Sequence, residues 1–436
     1  MQIRTVEMDA GMVAGLRHAR DEYADKRAFG HAMLIVGSKG MMGAAVLAAG
    51  GALRSGCGLV TVHVPEGERT IMHVSHPSAI VDCDPGDVFT GFTGDLSRYT
   101  AVGIGCGLGR KEQTAGGVSE LFRNLGRIAD GAIGQDSPML RPDGGVSGRQ
   151  ENAGYMTDAG SGRQGNGGRI ADMALRQPAS GLVIDADALN IIASHPEMFD
   201  IVPPGSILTP HTRELDRLMH GLCAGKSFLS VERHPFPYVP ECPGATPFGR
   251  TGRGTADGGP GAVSAGDGSD GFPEFTGWKY PWKGPQMEYV AALADRLESV
   301  IIVKGHRTLV CPPAGMPVGL PAAGAEVEVS PGMMRRSSHV GNPQVRQECV
   351  PGRGRDTGMP GPRTVYVNTT GNAGMAKGGS GDVLTGLITG LRAVGYSPVE
   401  AAILGVWYHG QAGDRAAERY GQESMNASDI ADSIRL

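Results

Sequence analysis

A glycine-rich segment near the carboxyl end of the chain has the composition of an anion-binding turn. It runs from Asn368 to Asp382. Glycines let the backbone approach a ligand closely, and amides at a helix N-terminus point toward an anion with the helix dipole behind them. We predict an anion hole for a phosphoryl group, with Asp382 as the general base that deprotonates an attacking hydroxyl. The predicted anion hole consists of Gly378, Gly379, Ser380 and Gly381. A plain glycine turn with an aspartate as helix N-cap has the same composition.

Other polar residues follow short apolar runs. Asp185 and Asp187 follow residues 182–184, His211 follows residues 207–210, and Lys304 follows residues 300–303. Each has an ordinary structural explanation: Lys304 as a solvated charge, His211 as a helix-start residue and Asp187 as a helix N-cap. Ligands of open parallel α/β sheets bind at the carboxyl ends of the strands, so together these residues predict one crevice.

The elements that position these residues indicate an α/β fold with a mostly parallel sheet. Seven β-rich runs alternate with helical patterns, and such alternation is typical of parallel sheets. The predicted strands are residues 33–36, 59–63, 102–104, 182–184, 207–208, 300–303 and 365–367. Predicted helices cover residues 187–194 and 383–393, and a longer one begins at the capping box of Ser397 and Glu400 and runs to Tyr420.

Composition excludes several classes of protein. The net charge is −5 over 436 residues, which gives no support to nucleic-acid binding through a basic face. Seven scattered cysteines without a C-x-x-C pair suggest neither a zinc site nor a disulfide framework. No stretch approaches the roughly 18 apolar residues of a membrane span, and no secretory leader is evident. We therefore expect a cytoplasmic protein that does not bind membranes.

Three segments with little helical or alternating period hold 32 of the 70 glycines and 18 of the 29 prolines. These segments, residues 129–168, 225–282 and 312–361, are predicted to be low-complexity surface insertions in a single domain that spans residues 1–436. The middle segment contains five aromatic residues between Phe272 and Trp282, which we expect to dock on the body of the domain rather than on a partner. The third segment directly precedes the strand that leads to Asn368 and is expected to lie close enough to crowd a nucleotide there.

Several blocks together resemble the ADP/ATP-dependent NAD(P)H-hydrate dehydratase family of the ribokinase-like superfamily. They occur in the family's order and cover the chain outside the three segments. The blocks are residues 30–38, 43–45, 53–60, 105–109, 184–190, 208–214, 303–308, 368–386, 409–414 and 427–429. The resemblance implies a single three-layer αβα domain with a mostly parallel central sheet.

The implied reaction is the repair of NADHX or NADPHX, coenzymes to whose nicotinamide ring water has added. A nucleotide, ADP or ATP, phosphorylates the ring hydroxyl of the S epimer, and phosphate then leaves to restore NADH or NADPH. By the resemblance, the hydrated coenzyme contacts Ala44, Gly107, His211 and Asp382. The adenine nucleotide contacts Lys304, Gly305, His306, Arg307, Thr308, Asn368 and Gly381. Magnesium is expected with the nucleotide phosphates, through ligands that the sequence does not identify.

Some features depart from the family pattern. Cys106 occupies a position where the family commonly has proline. The first predicted strand begins at residue 33, which leaves too few residues before it for the epimerase domain to which relatives are often fused. We therefore expect epimerisation by a separate epimerase, or without an enzyme. A homotetramer is the family expectation.

Two other functions remain open at this point. A small-molecule kinase of the same superfamily, of the hydroxyethylthiazole or hydroxymethylpyrimidine type, would use the same anion hole and aspartate but release a stable phosphorylated product. A nucleotide-sensing scaffold would use the glycine-rich segments and keep the site without activity. The dehydratase is favoured over the kinase by the blocks around Gly43, His211 and Lys304, and over the scaffold by the intact Asp382 and its glycines.

Overall fold

The computed structural model describes residues 2–129, 181–224, 284–316 and 363–436. Except for residues 129 and 312–316, the three proposed insertions lie outside the described residues, as does the aromatic group between Phe272 and Trp282.

The centre of the fold is a ten-stranded sheet with the order β1-β10-β9-β8-β7-β6-β5-β2-β3-β4. Within the described ranges, β9 alone runs antiparallel to its neighbours, β8 and β10. The strands are β1 (Ile3–Glu7), β2 (His31–Ile35), β3 (Leu59–Pro65), β4 (Ile80–Asp84), β5 (Ala101–Ile104), β6 (Gly181–Ile184), β7 (Ile207–Leu208), β8 (Val300–Val303), β9 (Leu309–Cys311) and β10 (Arg363–Val367). The predicted mostly parallel sheet is confirmed.

Helices cover both faces of this sheet. They are α1 (Ala10–Leu16), α2 (Met42–Leu53), α3 (Arg69–Ser75), α4 (Glu112–Ala129), α5 (Ala186–Ser194), α6 (Thr212–Ala224), α7 (Gly284–Arg296), α8 (Ser380–Val394), α9 (Pro398–Tyr420) and α10 (Ala427–Asp432). Successive strand residues point to opposite faces. In β6, Leu182 and Ile184 therefore pack in the core under α4 to α7, whereas Val183 packs with α8 and α9. The predicted αβα layers are confirmed.

Helices α2 and α8 touch backbone to backbone. A Cβ at Gly386 would lie 1.8 Å from the carbonyl oxygen of Ala48, and one at Gly51 would lie 2.2 Å from that of Val383. Further along, a Cβ at Gly390 would meet Ser55, so the contacts advance in the same direction along both helices. The two helices therefore run parallel, and both begin at the carboxyl edge of the sheet.

Three strands were not predicted from the sequence. The edge strand β1 pairs in parallel with β10, so the sheet already begins at Ile3 rather than at the first predicted strand. The other edge strand, β4, pairs with β3, and β9 forms a short antiparallel hairpin with β8. All three belong to the same sheet as the seven predicted strands.

The direction of β9 determines where the third proposed insertion attaches. Because β9 is antiparallel, its last residue, Cys311, lies at the amino edge of the parallel strands. Arg363, the first residue of β10, lies at that same edge. Lys304 and Asn368, by contrast, follow the carboxyl ends of β8 and β10. The described residues that flank this segment are therefore at the edge opposite the predicted nucleotide site. Residues 317–362 lie outside the described ranges, so crowding of the nucleotide stays a prediction.

None of the helices in the described ranges has the length and apolar character needed to cross a membrane.

Candidate active site

The glycine-rich segment ends in the first turn of α8. Gly379 is the N-cap, with a φ of +92° that favours glycine, and no side chain caps the helix. Asp382 is the third residue of the helix, so its interpretation as an N-cap is wrong. A Cβ at Gly381 would lie 3.2 Å from the Lys304 ammonium nitrogen. The predicted anion hole therefore has uncapped helix amides beside a cation, which is the electrostatic setting for a phosphoryl group.

Lys304 forms an ion pair with a buried carboxylate. Its Nζ lies 2.5 Å from Oδ1 of Asp185, whose side chain is 1% exposed, and 3.8 Å from Oε2 of Glu214. Burial lowers the pKa of Lys304, but the two carboxylates outweigh this effect and the pKa is raised above its ordinary value. The interpretation of Lys304 as a solvated charge is therefore wrong, since a charged ammonium is held inside the site.

Asp382 lies in a partly buried, acidic environment. Burial, and then the negative charge of Asp185, raises the pKa of Asp382 to about 6, although a hydrogen bond with Cys106 and the charge of Lys304 act in the opposite direction. A carboxylate with a pKa near 6 is mostly ionised at pH 7 and is more basic than an ordinary aspartate. Its protonation equilibrium therefore suits a general base at neutral pH.

His211 lies directly before α6, next to Lys304 in an isolated parallel bridge. The imidazole Nδ1 accepts hydrogen bonds from the backbone N–H groups of Arg213 (3.1 Å) and Glu214 (3.3 Å), and the backbone N–H of His211 donates to Glu214 Oε2 (2.8 Å). Burial, and then the charge of Lys304, lowers the pKa of His211 to about 4. His211 is thus a helix-start residue, as its ordinary explanation predicted, and it brings a neutral imidazole to the site.

The predicted coenzyme residues Ala44 and Gly107 contact one another. Gly107 has a φ of +64°, and a Cβ there would lie 2.8 Å from the Cβ of Ala44. The Ser38 hydroxyl donates to the Gly107 carbonyl oxygen at 2.8 Å, and the N–H of Gly37 donates to the Cys106 carbonyl oxygen at 2.8 Å. The loops after β2 and β5 are therefore joined, with Gly107 one residue from the thiol beside Asp382.

The predicted nucleotide residues 305–308 form the turn between β8 and β9. The Thr308 hydroxyl donates to the Gly305 carbonyl oxygen at 3.1 Å, and the N–H of Asn368 donates to the Thr308 carbonyl oxygen at 2.9 Å. Arg307 has a φ of +57° and forms an ion pair with Glu7 at 2.7 Å. His306 lies between Gly305 and Arg307 in the same turn. The turn is thus next to Asn368, as the sequence predicts.

Asn368 shapes the loop that leads to the anion hole. Its side chain is buried, and its Oδ1 accepts from the Thr370 hydroxyl at 3.0 Å while its Nδ2 donates to the Thr370 carbonyl oxygen at 2.9 Å. In this arrangement Asn368 acts on the backbone of the loop, and its contact with a nucleotide stays a prediction.

Two side chains of α9 hold the glycine-rich segment in place. Asp414 accepts hydrogen bonds from the N–H of Gly371 at 2.9 Å and from the Asn372 amide at 3.0 Å. Nε2 of His409 donates to the Ser380 carbonyl oxygen at 2.9 Å. Burial lowers the pKa of His409 to about 4, so the ring is neutral at pH 7. Asp414 and His409 therefore hold the glycine-rich turn in position from a neighbouring helix.

One group of ionisable side chains in the described part of the chain is close enough to share a metal ion: Cys106, Asp185 and Asp382 offer ligand atoms within 4.8 Å of one another. The group does not suit Mg²⁺, which prefers oxygen ligands, because one ligand would be a thiol. The Lys304 ammonium also occupies an oxygen of Asp185. These three side chains therefore do not form a Mg²⁺ site.

Comparison with known proteins identifies the family. The family model for NAD(P)H-hydrate dehydratase matches residues 32–131, 158–234 and 356–436, more than half of the chain. The chain belongs to the NAD(P)H-hydrate dehydratase family. The matched ranges contain Asp185, His211 and Asp382. Lys304 lies between the second and third matched ranges and forms an ion pair with Asp185 of the second.

Two curated members of the family cover nearly all of this chain. The bifunctional NAD(P)H-hydrate repair enzyme of Moorella thermoacetica is 25% identical over 95% of this chain but only 50% of its own length. The ADP-dependent (S)-NAD(P)H-hydrate dehydratase of Neisseria meningitidis is 24% identical over 96% of this chain and 88% of its own. The chain thus spans about half the length of the bifunctional relatives it matches.

Solved structures agree on the fold of the family. The ADP/ATP-dependent NAD(P)H-hydrate dehydratase of Bacillus subtilis, co-crystallised with ATP/Mg²⁺, has a TM-score of 0.51 at 19% identity and covers 97% of this chain and 93% of its own. A ribokinase-like superfamily protein of Enterococcus faecalis has a TM-score of 0.53 at 17% identity and covers 99% and 94%. The predicted ribokinase-like fold is confirmed.

Two members of the site were not assigned a role from the sequence. The sequence identifies Asp185 only as a residue that follows a strand. The structure makes Asp185, rather than the predicted Asp187, the N-cap of α5. Asp187 instead accepts a hydrogen bond from the N–H of Gly109 at 2.9 Å. Thr385, one turn after Gly381, donates to Oδ2 of Asp185 at 2.7 Å. The sequence signal for Asp185 is its position as an acidic residue directly after an apolar strand. No sequence signal points to Thr385.

Proposed function

We propose that this protein is a nucleotide-dependent NAD(P)H-hydrate dehydratase that returns the S epimers of NADHX and NADPHX to NADH and NADPH. The observation that carries the proposal is the position of Asp382, a carboxylate with a pKa of about 6 in the first turn of an uncapped helix, with the Lys304 ammonium beside the same turn. Membership of the family supports the same activity. The name of the Neisseria meningitidis relative supports the S epimer and ADP.

In the proposed reaction, Asp382 removes the proton from the ring hydroxyl of the hydrated coenzyme. The oxygen forms a bond to the terminal phosphorus of ADP or ATP, and the bond from that phosphorus to AMP or ADP breaks. Backbone amides at Gly381 and the Lys304 ammonium offset the negative charge that gathers on the phosphoryl oxygens. The ring nitrogen then expels phosphate as the C–O bond breaks, and loss of a ring proton to water restores the dihydropyridine.

The contacts of the remaining residues support a division of the site into two parts. Ala44, Gly107 and His211 are proposed to contact the coenzyme, and their neutral surfaces suit an apolar ring; burial keeps the imidazole of His211 uncharged. Residues 305–308 and Asn368 are proposed to contact the adenine nucleotide, on the side of the site where Lys304 supplies positive charge. Magnesium is proposed to arrive with the nucleotide phosphates.

The domain organisation is also a proposal. We propose one dehydratase domain over residues 1–436, with insertions at 129–168, 225–282 and 312–361. In support, each stretch outside the described residues connects two strands that are neighbours in the sheet: β5 with β6, β7 with β8, and β9 with β10. The resemblance to the family supports a homotetramer and a location in the cytoplasm, the compartment in which NAD(P)H is used.

The test of the activity is an assay with purified protein, S-NADHX, Mg²⁺ and either ADP or ATP. Dihydronicotinamide absorbance is expected to return only when nucleotide is present, and the faster of the two nucleotides is the preferred co-substrate. Samples without nucleotide, and with the Asp382→Asn variant, serve as controls. If absorbance does not return although nucleotide binds, the activity is wrong and hydroxylated vitamin precursors should be tested as kinase substrates.

A further inference from the structure

Asp185 joins three parts of the site. It follows β6, its backbone N–H donates to the Ile104 carbonyl oxygen of β5 at 3.0 Å, and its carboxylate receives Lys304 from the end of β8 and Thr385 from α8. Few carboxylates are buried to this degree, and a buried carboxylate needs partners for both oxygens. Here both oxygens have partners: Oδ1 accepts from Lys304 at 2.5 Å, and Oδ2 accepts from Thr385 at 2.7 Å and from the Cys106 thiol at 4.0 Å.

We infer that Asp185 and Thr385 are positioning residues for the phosphoryl transfer: Thr385 orients the carboxylate of Asp185, and Asp185 holds the Lys304 ammonium against the Gly381 turn. This inference rests on the proposed function and extends it to two residues with no assigned role. A lysine side chain has four rotatable bonds, so a free Lys304 would sample many positions. The ion pair fixes one of them, 3.2 Å from where a Cβ at Gly381 would lie.

Space around Gly381 supports this arrangement. Besides the Lys304 ammonium at 3.2 Å, the nearest atom to a Cβ at this position would be Oδ2 of Asp185 at 3.6 Å. The absence of a side chain at Gly381 thus leaves the first turn of α8 open to the ammonium. The ion pair and the glycine together bring a positive charge to the helix amides.

Asp185 also influences the proton equilibrium of Asp382. The charged and titratable groups that face Asp382 are Cys106 after β5, Asp185 after β6, Asp187 in α5 and Lys304 after β8. The negative charge of Asp185 raises the pKa of Asp382, and Lys304 lowers it. Without the negative charge at position 185, the pKa of Asp382 is expected to fall, because the repulsion is lost and the lysine is no longer neutralised.

The test compares Thr385→Val, Asp185→Asn and a control, Thr389→Val. Thr389 is one turn further along α8, is equally buried, and donates its hydroxyl to the Thr385 carbonyl oxygen instead of to Asp185. It therefore controls for the loss of a buried hydroxyl from the same helix. For each protein, kcat and KM for ADP or ATP are measured from pH 5 to pH 9, together with the midpoint of urea unfolding.

We expect Thr385→Val and Asp185→Asn to raise KM for the nucleotide and to lower kcat by about 10-fold and about 100-fold respectively. The acid limb of the kcat/KM profile should move to lower pH in Asp185→Asn, and by a smaller amount in Thr385→Val. Thr385→Ser, which keeps the hydroxyl, should restore most of the loss. Thr389→Val should keep the profile of the original protein, whatever its unfolding midpoint.

The inference is overturned if Thr385→Val and Asp185→Asn change only the unfolding midpoint, or if their profiles coincide with the control. Should Asp185→Asn fail to fold, the contrast between Thr385→Val, Thr385→Ser and Thr389→Val still decides. If the original protein does not dehydrate NADHX, the proposed function fails separately. The inference is then decided by calorimetric titration with ADP and Mg²⁺, in which Thr385→Val must weaken binding relative to Thr389→Val.

Discussion

Replacing Asp382 with asparagine is expected to lower turnover and raise stability at the same time. The substitution keeps the shape of the side chain but removes the base, so turnover should fall on the order of 100-fold or more. In the folded protein the pKa of Asp382 is raised from 3.8 to about 6, mainly by burial, so ionisation of this carboxyl opposes folding at neutral pH. The asparagine variant is free of that cost.

The size of the effect follows from the pKa. A rise from 3.8 to about 6 corresponds to at most about 3 kcal/mol, since one pH unit is about 1.4 kcal/mol. Partial exposure of the carboxyl to solvent reduces this to roughly 1–2 kcal/mol. Because the folded pKa is raised, the stabilising effect of the protonated form is complete below pH 3.8 and is lost as the pH rises through about 6.

Urea unfolding followed by circular dichroism, at pH 7.5 and at pH 4, measures this difference. Asp382→Asn should be more stable than the original protein at pH 7.5 and nearly equal to it at pH 4. Asp95→Asn is a suitable control, because hydrogen bonds from Ser97 lower the pKa of Asp95 and no gain in stability is expected there. The reasoning is refuted if Asp382→Asn is no more stable at pH 7.5, or if its gain persists at pH 4.

Four further outcomes are expected. Lys304→Met should raise KM for the nucleotide. It should also destabilise the protein by about 3–5 kcal/mol in urea unfolding, because Asp185 is left buried without its cation. Equal stability of the variant and the original protein would contradict the ion pair. Gly386→Ala should cost at least about 2 kcal/mol in the same assay, since its Cβ would lie 1.8 Å from the Ala48 carbonyl oxygen, and a neutral effect would contradict the close helix contact. In an NMR titration, the His409 ring should stay neutral until the pH approaches its pKa of about 4. The contribution of the neutral ring to stability is present above the ordinary pKa of 6.5 and is lost as the pH falls from 6.5 to about 4. Titration near pH 6.5 would contradict the burial of the ring. Replacing residues 225–282 with a short linker should leave a folded protein with nucleotide-dependent activity, and insoluble protein would contradict the proposed insertion.

Most of the sheet could be predicted from the sequence because its strands are buried on both faces. Runs such as Val300–Val303 are apolar throughout and are read as strands without knowledge of their neighbours. The edge strand β1, Ile3–Glu7, mixes apolar, charged and uncharged polar residues without alternation and is largely exposed, so its sequence resembles a polar terminus. The hairpin strand β9 has three residues and is defined by its pairing with β8, which a local pattern does not contain.

The site residues also fall into those that a local sequence pattern predicts and those that depend on contacts between distant parts of the chain. The glycine-rich turn and Asp382 are neighbours along the chain, and their spacing alone predicts that they act together. The partnership of Asp185, Lys304 and Thr385 joins residues 119 and 200 positions apart, and only the order of the strands and the path of α8 bring them into contact. A local pattern can therefore identify Lys304 as a strand-end residue but cannot predict the carboxylate that holds it.

The backbone contact between α2 and α8 has a consequence for how the two substrates meet. No side chain lies between these helices at Gly51 and Gly386, so neither helix can slide without displacing the other. One helix begins beside Ala44 and the other beside Gly381, so the scaffold sets the distance between the proposed coenzyme residue and the proposed phosphate residue before anything binds. Binding then loses little conformational entropy in this part of the molecule, and the adjustment to each ligand falls to the turns that carry Gly107 and Lys304.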